Sequence, residues 1–84
     1  MSGPPNTSTP TPEVEAFYTV ELDYDNDGLL QYVGLGTPGV TTSQALWQIK
    51  RLTYTDGALT VVEYASSTDK FDKIWTSRTS YSYA

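Results

Sequence analysis

The stretch EAFYTVELDYDNDGLLQYVGLG, residues 15–36, decides the fold class. Ala16, Tyr18, Val20, Leu22 and Tyr24 fall on one side of a period of two, with Glu15, Phe17, Thr19, Glu21 and Asp23 on the other, which is the pattern of a half-buried strand. LLQYVGLG reads as a second strand, and DYDNDG lies where a hairpin between the two needs a loop rich in Asp, Asn and Gly. The hexapeptide also resembles the first half of an EF-hand calcium loop, with Asp23, Asp25 and Asp27 at alternate positions before Gly28. Such a loop needs a bidentate glutamate at its twelfth position, and counting from Asp23 that position is Gly34, inside the second strand. Asp and Asn hydrogen-bond their own backbone in turns, so a turn is preferred here over a weak cation site.

Toward the C-terminus, Thr37-Pro38-Gly39 supplies a proline of fixed φ followed by a glycine, as a type II turn requires. SQALWQIKRLTY predicts a third strand and LTVVEYA a fourth, joined by Asp56-Gly57, the strongest short hairpin signal in the chain. In SSTDKFDKIWTSR the residues Phe71, Ile74, Trp75 and Arg78 stand at helical spacing, which predicts a short helix capped by Thr68 or Asp69 with its aromatic face on the sheet. RTSYSYA alternates again, with Tyr81 and Tyr83 on one face and Ser80 and Ser82 on the other, and predicts a final edge strand. The expected fold is mainly β: a small antiparallel sheet or open barrel of about five strands with one short helix.

Toward the N-terminus the pattern vanishes. MSGPPNTSTPTPE holds all but one of the five prolines, so residues 1–14 are expected to form an extended arm and residues 15–84 the β domain. Ordering some thirteen such residues costs on the order of 1–2 kcal/mol each. At roughly 25 cal/mol per Å² of apolar burial, offsetting that takes several hundred Å² of contact, more than Thr, Ser and Asn can find on so small a domain. An ordered arm, with Pro4, Pro5, Pro10 and Pro12, is therefore expected to lie on a partner chain.

The chain has 84 residues, a formal charge of −5, no Cys and no His. A domain of this size buries only about 60% of its unfolded surface and is marginal without a staple, and no disulfide can supply one. Without Cys and His the usual zinc, thiolate and imidazole chemistries are absent, which makes an enzyme the weaker expectation and leaves no cofactor implied. The acidity and the single adjoining basic pair, Lys50-Arg51, argue against a nucleic-acid groove. No segment reads as membrane-spanning or as a signal peptide, and the absence of Cys fits synthesis in a reducing cytoplasm.

Trp47 and Trp75 could stack on sugar rings, but in a small domain large aromatics fill the core, and core is the expectation for both. Tyr81 and Tyr83 are open between core and interface, because a terminal edge strand carrying aromatics invites pairing with another chain. Glu21 and Asp23 share a strand face, yet no nucleophile or base partner accompanies them, so solvated charge is expected and no catalytic residue is named.

From Tyr32 onward, YVG (residues 32–34), WQIKRL (47–52), FDKIW (71–75) and RTSYSY (78–83) follow one another in this order. This run resembles a small virion-associated structural protein type of tailed-bacteriophage genomes, whose members typically read YVG, WQIKRI, a glycine turn, F-D-x-[IV]-W, an arginine and a Tyr-Ser ending. The resemblance covers about the last fifty residues and leaves the arm and DYDNDG outside. It implies a non-enzymatic protein of the capsid or tail, present in multiple copies as a homo-oligomer. It also implies assembly in the host cytoplasm with other virion proteins as partners. A second expectation is a glycan- or receptor-binding module at a tail or fibre tip, using exposed aromatics and the acidic hairpin.

Overall fold

Residues 18–84 are described by the computed structural model; the arm with its four prolines, and residues 15–17 of the expected first strand, lie outside the described residues. Alternating patterns and tight turns produce four antiparallel strands in sequence order: β1 (Thr19–Tyr24), β2 (Leu30–Gly36), β3 (Ala45–Thr55) and β4 (Ala58–Tyr64). A two-residue β5 (Lys73–Ile74) adds to β3 on the side where β4 leaves it, and a 3-10 helix (Trp75–Ser80) follows. The sheet stays open rather than closing into a barrel.

The turns hold as their residues require. Asp56 and Gly57 take φ of 52° and 82°, the left-handed pair that a two-residue hairpin needs between right-twisted strands. At Thr37-Pro38-Gly39 the amide of Val40 donates to the carbonyl of Thr37 at 3.1 Å, closing the expected turn.

One face of the sheet carries the core. Trp47 and Ile49 from β3 are fully enclosed, and Tyr32, Ala65 and Trp75 complete the buried set, with Val40, Tyr81 and Tyr83 packed around it. The two indoles lie 5.9 Å apart between ring centroids. They fit because β2 offers glycine beneath them: a Cβ built on Gly34 would sit 2.5 Å from Cε3 of Trp75, and one on Gly36 would collide with Val40 and Trp47. The Trp47 indole nitrogen donates to the carbonyl of Thr41 at 3.0 Å, so its polar edge is satisfied on burial.

Three expectations are corrected. The alternation of β1 is as read, but its burial is inverted: Thr19, Glu21 and Asp23 are the more covered side, while Tyr18, Val20, Leu22 and Tyr24 stand exposed. The cause is the C-terminal segment, which docks on the side where the glycines leave room for tryptophan. The short helix expected within residues 66–78, capped by Thr68 or Asp69, forms later and tighter, as the 3-10 helix Trp75–Ser80. Residues 66–72 turn back, Thr68 Oγ1 accepts only a local bond from the amide of Lys70, and Lys73–Ile74 is strand. The Ala45–Trp47 end of β3 lies beyond β4's pairing and takes β5 as its partner, which outweighs a marginal helix. The closing strand is reduced to a single bridge, Ala65 to Tyr83, because residues 75–80 are spent on the 3-10 helix.

Truncating Trp47 to Ala should cost about 3–5 kcal/mol, comparable to the stability of so small a domain, and leave the chain largely unfolded in a urea titration. Gly34→Ala should cost about 1–3 kcal/mol by overpacking against Trp75. A Gly34→Ala variant melting with the wild type would show that the ring has slack that the packing denies.

Candidate functional site

The acidic hairpin does not gather its carboxylates. Asp25 Oδ1 accepts from the amides of Asp27 and Leu29, both at 2.9 Å, and the amide of Gly28 donates to the Asp25 carbonyl, so this side chain is the internal tie of the turn. Asp23 is engaged elsewhere, its Oδ2 accepting from Arg78 Nε at 2.9 Å. Asp27 sits on the turn, exposed. Among the described residues no group of three or more His, Cys, Asp or Glu is placed to hold a metal ion.

Arg78, whose pairing with Asp23 the sequence did not suggest, ties the 3-10 helix to the sheet. Its guanidinium lies over the rings of Trp75, at 4.7 Å, and Tyr32, at 5.9 Å, while binding Asp23. Tyr83 donates to the Arg78 carbonyl at 2.6 Å, and Tyr81 accepts from the amide of Ile74 at 2.8 Å. Both terminal tyrosines thus fill the margin of the core with their hydroxyls engaged inside the chain. Burial, reinforced by neighbouring Tyr32, pushes the Tyr83 phenol up to about 12. Trp47 and Trp75 occupy the interior and present no ring to solvent.

Two surface features remain. Pairing of β2 with β3 stops at Tyr32 and Arg51, while each hairpin continues beyond that point, so the hairpins part and leave an open hollow of about 610 Å³. Asp25, Asp27 and Gln31 line it from one hairpin, Tyr54 and Asp56 from the other, with Arg51 between. Arg51 is committed inward: Nη2 donates to Glu63 at 2.9 Å and the guanidinium stacks 4.9 Å from the Tyr83 ring. The hollow offers carboxylates, an amide and a phenol, groups suited to hydrogen-bonding hydroxyls.

The second feature is the sheet face opposite the core. Alternation and register place Val20, Leu22 and Tyr24 of β1, Leu46 of β3, and Leu59 and Val62 of β4 on it, each 41–56% exposed. At one end the 66–72 loop reaches over this side, with Phe71 stacked on Tyr18 at 5.5 Å and Gln48 donating to the Asp69 carbonyl at 2.8 Å. Sequence reading missed this face, though a signal was present. LW in β3 and VV in β4 put large apolar residues at both parities of the strand, as strands covered on both faces do.

Comparison with protein-family models, curated proteins and solved structures gave no match. Among the described residues no helix is long and apolar enough to cross a membrane.

Asp25→Ala should lower stability by about 1–2 kcal/mol through loss of its two turn bonds. Calorimetry with calcium should give no saturable heat in the wild type, and micromolar binding abolished by Asp25→Ala would overturn the turn assignment. Because the folded phenol of Tyr83 has its value raised above the ordinary 10.0, its stabilisation is complete below pH 10 and is lost as pH rises toward about 12. Tyr83→Phe should therefore flatten the fall in melting temperature across that alkaline window.

Proposed function

We propose that the chain is a non-enzymatic structural component of a tailed-phage particle, associated with capsid or tail in multiple copies, with residues 1–14 contacting a neighbouring subunit. The observation that carries this reading is the exposed apolar sheet face: a stable monomer gains little from such a surface, whereas a protein that works inside an assembly uses it. The resemblance of the YVG, WQIKRL, FDKIW and RTSYSY segments points the same way. The aromatics that a sugar-binding surface would need most, Trp47 and Trp75, are enclosed in the core.

A glycan-binding module at a tail or fibre tip is the second reading. Its support is Tyr24, 56% exposed beside Asp25, together with the hollow where Tyr54 meets Asp25, Asp27 and Asp56. A glycan array probed with wild type and Tyr54→Ala separates the two.

Mass spectrometry and antibody labelling of purified particles should detect the protein in many copies. A chain lacking residues 1–13 should melt with the full protein, since that stretch has no apolar periodicity with which to enter the core. Its incorporation should fall by about tenfold or more, as roughly 1.4 kcal/mol of lost contact suffices. Equal incorporation, or a collapse in melting temperature on deletion, would show that the arm serves its own domain.

A further inference from the structure

The apolar sheet face is large enough to specify its own partner. Aromatic side chains offer roughly 150–250 Å² each when bare, and Val and Leu less. Six residues at about half exposure, only one of them aromatic, with Tyr18 at 39%, therefore put on the order of 400–700 Å² on one side of the sheet. That approaches the roughly 800 Å² per partner of a standard interface and lies at the upper end of what a typical monomer leaves bare.

Charge narrows the choice of occupant. The chain carries −5, yet among the described residues no strand carboxylate stands on this face. Those on strands, Glu21, Asp23 and Glu63, belong to the opposite side, and the rest lie in the hairpin turns or the 66–72 loop. A copy approaching the opposite side meets the strand carboxylates, whereas on this side carboxylates stand only at the ends of the strands, in the hairpin turns and in Asp69 and Asp72 of the 66–72 loop. The cation that the described strands place on the face, Lys50, leans its Nζ to 5.7 Å from the Tyr64 ring on outer strand β4, so the ammonium can leave at the rim when the centre is covered.

We propose that a second copy of this chain docks here, sheet on sheet, giving a two-layer sandwich whose inner layers lie about 10 Å apart. The proposal rests on the multiple-copy reading above and names the surface that joins the copies.

Sedimentation of the full chain at about 100 µM, where an interface of micromolar affinity is saturated, should show a dimer. Leu22→Glu and Val62→Glu should weaken it by about tenfold or more, because each puts a carboxylate into the buried layer. Their circular dichroism should match the wild type. A second measurement does not depend on those variants folding. The chain has no cysteine, so Leu22→Cys should be joined into dimers by a bis-maleimide spanning about 10 Å, while Asn26→Cys in the hairpin turn should not. A wild-type monomer at that concentration overturns the proposal, and one whose Leu22→Cys thiol is shielded identifies residues 1–17 as the cover instead. A dimer indifferent to both glutamates and uncrosslinked at Leu22→Cys overturns this face while leaving the multiple-copy reading intact. A monomer still found in purified particles leaves the structural role standing without self-docking.

Discussion

The fold depends on two indoles resting on two glycines. Trp47 and Trp75 meet over Gly34 and Gly36, where no Cβ intervenes, so the rings approach the β2 backbone more closely than any other residue at those positions would permit. Burying large aromatics is the most economical way for a chain of this length to exclude water, since each removes on the order of 150–250 Å². The glycines determine the side of the sheet on which this happens. Once Trp75 is committed to that side, the segment after it must follow, and Tyr81, Tyr83 and Arg78 are drawn over the same face.

That commitment explains why polar β1 residues face the covered side. Asp23 and Glu21 would be ill-placed on an ordinary core face, but here Asp23 meets Arg78, whose guanidinium already lies over the rings of Trp75 and Tyr32. The pair is partly exposed, so its worth lies less in Coulomb energy than in geometry: it ties the 3-10 helix to strand β1, distant in sequence. Arg51 plays a parallel part between Glu63 and Tyr83. Each arginine caps an aromatic ring on one side and binds a carboxylate on the other, which lets a thin core end in charge without an abrupt apolar rim.

The hairpins were legible because their determinants are local. Asp56-Gly57 and the Asp25 turn need only the residues that compose them, and the period-two runs follow from the pleat. Trp47 as core was legible for the same reason. The segment around Trp75 was not, because helical spacing and strand alternation both fit 71–75, and the choice was made by an unpaired stretch of β3 remote in sequence. The inward side of β1 was also illegible: alternation shows that a strand has two faces, and only the placement of the C-terminal cover says which one is enclosed. Arg78 stayed hidden because its role exists only once Asp23, Trp75 and Tyr32 have been brought together.

A one-sided core has a consequence for how stability and assembly relate. With both tryptophans on one face and large aliphatic strand residues on the other, the described residues bury one side of the sheet and leave the apolar side chains of the other largely exposed. A partner that covered the remainder would bind only the folded chain, so it would raise stability by mass action rather than through any new contact in the core. The same surface is a hazard while it is bare, since flat apolar sheets attract each other without register. The acidic turns and loops at both ends of the strands, in a chain of net charge −5, oppose that random association at the margins while leaving the centre of the face free of carboxylates. Carboxylates at the ends of the strands, with none on the strands of this face, oppose edge-on growth more than contact centred on it.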